Sequence, residues 1–373
     1  MAVQSAAVSS RVRFFEGEDI AQVADLHQRV FPTGGERLEE KSRLQRKYFS
    51  EVFLNSPDGP ESLRSLVYCE GQRVTGFLGT VTRPMLWKGD RILARISTQF
   101  IVDPASRGLA GLELLRAFFS GPQDLSIADE SNRQSRTIWE ALGGVTSLVH
   151  SMQWLCPLRP FRMGLRGLSK TARLGPRLAA IGSPIGGCLD VLVSKLHANP
   201  FQPVMPPVDA LELDAESMLE CLAEFTSSKS LRPIYDSGLL AWLLQHAEYP
   251  LGQRAVQAVL VKSKANRILG WYIYRLSKSG ISEVLQLFAD KGQASDVLSH
   301  LAFHAASHGA LALRGRCEPM LAEALSMAHW PCQWGPWVLV HSRRHCLSTS
   351  FQLGDVFFSR LDGEWCLRFS SAA

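Results

Sequence analysis

The sequence predicts an α/β protein with two domains in tandem, on three observations. A length of 373 residues suits two domains of ordinary size or one large one, and an apolar share of 46% with 20% charged residues is that of a globular chain. Strand and helix patterns alternate from residue 11 to residue 155. The same order of elements recurs weakly over 209–345 with negligible identity, as in a duplicated domain rather than a solenoid. The expected layout is a first domain at 10–158, a basic and apolar segment at 159–208, and a second domain at 209–373.

In the first domain, residues 11–17 read as a short strand. Glu18 and Asp19 then open a helix carrying Ile20, Val23, Ala24, Leu26, His27 and Val30 at helical spacing. A charged helix is expected from Glu36 to about Leu54, ended by Asn55-Ser-Pro-Asp-Gly-Pro. Leu66–Glu70 and Arg73–Trp87, joined at Gly71-Gln72, read as a hairpin, and Arg91–Val102 is a third strand after Lys88-Gly89-Asp90. A helix over Leu109–Phe119 ends at Gly121-Pro122. A short strand at Leu125–Ala128, a helix at Asn132–Leu142 and a last strand or pair at Val145–Leu155 follow.

In the second domain, strands are expected at Ala210–Leu213, Val256–Lys262, Arg267–Leu276, Ile281–Ala289 and Leu311–Arg314. Helices are expected at Ala215–Phe225, Leu239–Ala247, Ala294–Ser307 and Pro319–Ala328. Asp362-Gly363, between two apolar runs, predicts a C-terminal hairpin.

Forty Lys and Arg against thirty-five Asp and Glu give a net charge of +5, too mild and too spread to point to a nucleic-acid partner. The eight cysteines form no C-x-x-C and no zinc-finger spacing, which fits a reducing compartment better than a disulfide framework. Met1–Arg13 has no apolar core with a cleavage site, and Leu178–Leu189 is broken by Gly182, Pro184, Gly186 and Gly187. A cytoplasmic location is expected.

Chemistry concentrates in Phe100-Ile-Val-Asp-Pro-Ala-Ser-Arg-Gly-Leu-Ala-Gly111, which leads from a buried strand into a helix. Small residues at Gly108, Ala110 and Gly111 let backbone N–H groups approach a ligand. The orphan donors and positive dipole end of the helix suit a pyrophosphate, with Arg107 as counter-charge. A plain strand-to-helix connection that uses glycine for its geometry is the alternative.

The first ~155 residues resemble the GCN5-related N-acetyltransferase superfamily in element order and in two signatures. The V-x-x-(Q/R)-x-x-G-x-(G/A) turn is matched from Val102 to Ala110 at Val102, Gly108 and Ala110, while Ala105 stands where Gln or Arg is usual. The second signature is matched at Asn132, Ser135 and Gly143, with Trp139 at the usual Tyr and Gly144 in place of Phe. The resemblance implies two mixed-sheet acyl-CoA N-acyltransferase-like domains, the second degenerate, and acetyl-CoA or another acyl-CoA as donor. Ile101, Val102 and Asp103 would pair with the pantetheine amides and a backbone N–H there would receive the thioester oxygen. Arg107, Gly108, Leu109, Ala110 and Gly111 would hold the pyrophosphate, with Asn132 and Ser135 as further cofactor-side residues.

An acceptor amine or hydroxyl then needs a base. The third strand offers Thr98 and Gln99 but no carboxylate, so Asp129 or Glu130, at the C-terminal end of the next strand, is the catalytic candidate. Alternatively, both are solvated loop charges or charges at the helix entry. The superfamily often uses its Tyr to protonate the thiolate; the indole of Trp139 is no acid at neutral pH.

In the second domain the equivalent turn, Ala289–Asp296, has a single glycine, Gly292, and no pyrophosphate site is expected. Asp296, His300, His304 and His308 recur every four residues. This is metal spacing, but without other ligands it reads as a polar flank, and no metal is assigned. Duplicated proteins of this type occur among bacterial enzymes of cell-envelope and exopolysaccharide metabolism, so the resemblance implies a small-molecule or saccharide acceptor held between the halves. A non-catalytic CoA- or ligand-binding protein and an aminoacyl-tRNA-dependent peptidyltransferase are the rival readings; Arg107–Gly111 counts against the second.

Arg159, Arg162, Arg166, Lys170, Arg173 and Arg177 follow at spacings of 3, 4, 4, 3 and 4 with no acid among them. On a helix they form one basic stripe that suits an anionic membrane surface, at about 1 kcal/mol per cation. Gly164, Gly167 and Gly175 weaken that helix, and a solvated linker is the alternative. Reversing Arg162, Arg166 and Lys170 to Glu is expected to release the protein from anionic vesicles at low salt. A wild type that ignores such vesicles would remove the tether.

Overall fold

The computed structural model describes residues 11–32, 38–57, 60–106, 108–164, 203–248, 256–277, 280–367 and 369. In the first half, β1 (Val12–Phe14), α1 (Ile20–Val30) and α2 (Leu38–Phe53) precede β2 (Leu66–Glu70), β3 (Arg73–Trp87) and β4 (Asp90–Val102). Then come α3 (Leu109–Phe119), β5 (Leu125–Ser131), α4 (Arg133–Ala141), β6 (Val145–Ser147) and β7 (Met152–Pro157). The long β3–β4 hairpin closes through Lys88 and Gly89 at φ 51° and 98°, the left-handed pair that matches strand twist in a two-residue loop.

The second half begins with β8 (Val208–Glu212), α5 (Ala215–Phe225), β9 (Leu231–Pro233) and α6 (Ser237–Ala247). β10 (Val256–Ser263), β11 (Ile268–Arg275), β12 (Ile281–Ala289), α7 (Ala294–Ser307) and β13 (Ala312–Arg316) follow. α8 (Ala322–Met327), β14 (Cys332–Trp334), β15 (Trp337–His341), α9 (His345–Gln352) and α10 (Glu364–Leu367) complete the order.

The chain forms two units, and neither is contiguous. Unit 1 comprises Met1–Ser151, Leu219–Pro250 and Gly335–Ala373; unit 2 comprises Met152–Met218 and Leu251–Trp334. The boundaries expected at 158/159 and 208/209 differ from these because strands change sheets. β7, from the first half, pairs with β13 and β14, whereas β15, from the second half, pairs with β5 and β6.

Unit 1 holds an eight-stranded sheet in the order β1-β2-β3-β4-β5-β15-β6, with β9 added to β3. Its pairs are antiparallel except β4 with β5. Leu114, Leu115 and Phe118 of α3 and Trp139 of α4 bury their side chains with Tyr68, Leu78 and Leu339 of the sheet. The Trp139 ring lies 4.7 Å from that of Phe119, centre to centre, and a Cβ on Gly144 would fall 1.9 Å from the indole. Gly144 thus makes room for Trp139, which accounts for the paired departures at these two signature positions.

Unit 2 holds a seven-stranded sheet in the order β14-β7-β13-β12-β11-β10-β8, with α7 packed on it through Val297, Leu298 and Leu301. The histidine row faces tyrosines. Tyr272 Oη and His300 Nδ1 are 2.9 Å apart, as are Tyr274 Oη and His304 Nδ1. Burial pushes the pKa of His300 down, and burial with the neighbouring His308 and His300 pushes that of His304 down to about 4. These histidines fold neutral. The unfolded chain binds protons below about pH 6.5, so stability is full above that pH and falls as pH drops through the window from 6.5 to about 4. Thermal melts should show this decline, and His300→Gln with His304→Gln should flatten it; an unchanged slope in the double variant would refute the assignment. Among the described residues no cluster of His, Cys, Asp and Glu is arranged to hold a metal.

Two local expectations are corrected. The Asp362-Gly363 pair makes no hairpin; it is a buried turn into α10. β5 runs on to Ser131 instead of ending at Ala128, so Asp129 and Glu130 lie within its C-terminal end. Of the strand or pair expected at Val145–Leu155 the structure has the pair, separated by a helical turn at Val149–Ser151, after which the chain enters the other sheet. Of the basic stripe, Arg159 and Arg162 sit on a helical turn in which Met163 N–H donates to Arg159 O, while Arg166, Lys170, Arg173 and Arg177 lie outside the described residues. No helix among the described residues is long and apolar enough to cross a membrane.

Candidate functional site

The candidate site lies where two parallel strands stop pairing. β4 and β5 are in register only at Ala94–Ile96 against Leu125–Ile127. Past Ile127, β5 is held by β15, while β4 stays on β3 as far as Ile101 and Val102, opposite Phe77 and Gly76. The strands part between Ser97–Val102 and Ala128–Ser131. An unpaired strand edge in such a gap offers donors and acceptors to an extended ligand.

β4 also carries an irregularity there. Thr98 pairs with Gly79 and Ile101 with Phe77, leaving one residue too many on β4, and Gln99 stands at φ 50°. Its N–H leaves the ladder and donates to Glu364 Oε1 at 3.0 Å.

After β4, the chain turns towards α3. Asp103 is buried, and its carboxylate accepts Ala105 N–H at 3.1 Å and pairs with Arg73 at 3.0 Å and Arg29 at 3.5 Å. The two arginines offset the one acid beside the turn. Arg107 lies outside the described residues. Gly108 is the N-cap of α3 at φ 104°, a conformation L side chains rarely adopt, and the space a Cβ would enter is open. Leu109 is exposed, while Ala110 and Gly111 are buried against the sheet, with Gly111 over Phe100. The N–H groups of the first turn of α3 have no partners within the helix.

Asn132 and Ser135 are brought together by helix capping: Asn132 Oδ1 accepts Ser135 N–H at 2.9 Å and starts α4. Asp129 is buried, and its Oδ1 accepts the N–H of Glu364 at 2.6 Å; Glu130, next to it, is half-buried. Asp129 and Glu130 together oppose Val338 alone in β15, so β5 bulges here. Glu364 is not legible in the sequence, because Asp362-Gly363 predicts a hairpin and nothing local shows that the turn docks on β4 and β5.

No family model matches the sequence, and no curated protein matches it. Solved structures do match. A GCN5-related N-acetyltransferase from Kribbella flavida is 15% identical, covering 88% of this chain and 70% of its own at a TM-score of 0.52. One from Anabaena variabilis is 11% identical, with 90% and 73% covered and a TM-score of 0.54. Saccharomyces cerevisiae N-myristoyltransferase, solved with bound myristoyl-CoA, is 11% identical, with 91% and 79% covered and a TM-score of 0.52.

The fold is that of the GCN5-related N-acetyltransferases. The matches cover about 90% of the chain, and the two mixed sheets fit two such domains in tandem. In this acetyltransferase fold Trp139 is a core residue: its Nε1 is buried with no hydrogen-bond partner among the described residues. Unit 2 repeats the parallel pair as β12 with β13, and its turn has Gly292 at φ 76° before α7. Ala294 follows that glycine at the place Ala110 has after Gly108, but Ser295 stands where the first turn has Gly111, and Gln293 instead of the glycine is the N-cap of the helix.

Proposed function

We propose that this chain is an acyl-CoA-dependent acyltransferase whose donor site lies in unit 1. The observation that carries this reading is the parting of β4 from β5 followed directly by the glycine-led turn into α3. An acyl-CoA has an extended pantetheine with two amides and a diphosphate, and the two features suit these parts in that order. Residues 97–102 of β4 offer backbone pairing, and Gly108–Gly111 offer N–H groups and the positive end of a helix. Arg29 and Arg73 keep Asp103 from opposing the diphosphate.

Bound there, the donor supplies a thioester, whose carbonyl carbon an amine or hydroxyl attacks. The residues of the chain orient it, offer an N–H to the developing oxyanion and take a proton from the acceptor. Asp129, Glu130 and Glu364 are the carboxylates near the gap. Acetyl-CoA is the simplest donor. The acceptor is an amine or hydroxyl of a small molecule or saccharide, in the bacterial envelope or exopolysaccharide setting that the resemblance suggests.

The test is direct. Calorimetry with CoA and acetyl-CoA should show binding, and a thiol-release assay with acetyl-CoA over a panel of amines and sugars should show acceptor-dependent release. A protein that binds neither thiol nor thioester would overturn the reading.

A further inference from the structure

The C-terminal turn bridges the gap between β4 and β5 with one residue. Glu364 is held on one side by its carboxylate, which accepts Gln99 N–H at 3.0 Å, and on the other by its N–H, which donates to Asp129 Oδ1 at 2.6 Å. The turn before it is anchored at every step. Asp362 is fully buried; its Oδ2 accepts Ser359 N–H at 2.8 Å and the Ser359 hydroxyl at 2.6 Å, and its Oδ1 accepts the Tyr235 hydroxyl. Arg83 Nε donates to the Asp362 carbonyl at 3.1 Å, and the Tyr48 hydroxyl donates to the Leu367 carbonyl at 2.6 Å. A Cβ on Gly363 would lie 2.2 Å from Asp129 Oδ2, so glycine alone lets the turn come this close. So many fixed groups hold a half-buried carboxylate at a defined point, on a backbone donor freed by a left-handed residue.

We propose that Glu364 is the catalytic residue that takes the acceptor's proton, and that Asp129 is its positioning residue; this rests on the acyltransferase reading above. Without donor, the carboxylate satisfies Gln99 N–H. A thioester oxygen placed on that N–H displaces the carboxylate, which then stands beside the reacting carbon as a base. The new C–N or C–O bond forms as the C–S bond breaks. The acceptor's proton passes to Glu364, the C–S electron pair leaves with sulfur as the CoA thiolate, and the thiolate regains a proton from water.

Two measurements test this. The first needs no acceptor: calorimetry of CoA and acetyl-CoA on wild type and Glu364→Ala. Removing the competing carboxylate should tighten acetyl-CoA relative to CoA; an affinity ratio equal to that of wild type overturns the displacement. The second uses acetyl-CoA with whichever amine or sugar the thiol-release panel identifies. Glu364→Gln keeps an acceptor for Gln99 N–H and should lose roughly 10²–10⁴-fold in kcat while KM for acetyl-CoA is kept. Glu364→Asp should recover part of that loss. Asp129→Ala should lower kcat with KM kept, and Asp129→Asn, which can still accept Glu364 N–H, should cost less. Wild-type kcat in Glu364→Gln, or loss confined to Asp129→Asn, would overturn the assignment. A wild type that binds neither CoA nor acetyl-CoA fails the function itself, which is a distinguishable result.

Discussion

Gly108→Glu is expected to abolish CoA binding. The residue caps α3 at φ 104°, so any L side chain must strain or move the turn, and the open space beside it is where a diphosphate would lie. A carboxylate there adds repulsion. Losing two charge-assisted hydrogen bonds at ~1.5–3 kcal/mol each corresponds to roughly 10²-fold or more in affinity. The fold should survive, because an acid at a helix N-terminus is favourable in itself. Gly292→Glu is the matched control in unit 2, at φ 76° and also open, and should leave CoA affinity unchanged. Calorimetry that finds undiminished affinity in the Gly108 variant would sink the site.

Trp139→Ala should cost stability rather than chemistry. The ring is 1% exposed, packed against Phe118 and Phe119, and large-to-small changes of this kind cost ~3–5 kcal/mol. Urea unfolding should show that loss in unit 1. Trp139→Phe keeps most of the volume and discards an N–H that has no partner among the described residues, so turnover should be retained. If Trp139→Phe lost turnover while melting normally, the indole would have a part in catalysis after all.

Most local elements of unit 1 were legible. The β3–β4 hairpin follows from a Lys-Gly pair able to take left-handed φ values, and α4 from an Asn three residues before the N–H that it caps. The glycine turn into α3 is legible because a strand, a glycine and a helix are contiguous in the chain. Asp129 and Glu130, near the gap, follow from the same contiguity, although β5 runs three residues past the Ala128 at which the strand is expected to end.

What remained hidden depends on groups far apart in sequence. The exchange of β7 and β15 between sheets has no local signature, since a strand satisfies its backbone equally well beside any partners of matching length. The His-x₃-His row is legible as a spacing, but the burial that keeps His300 and His304 neutral and the hydroxyls of Tyr272 and Tyr274 that meet them come from packing against another element. The left-handed Gln99 is a residue with no special preference for that conformation, adopted because β4 must lose register on β3. Its N–H is answered by Glu364, 265 residues away. By itself, then, the sequence determined the order of elements, the glycine turn and the resemblance, all of which rest on neighbours along the chain. Only the tertiary structure decided which strands share a sheet and which carboxylate faces the gap, because those follow from satisfying buried backbone groups across long separations.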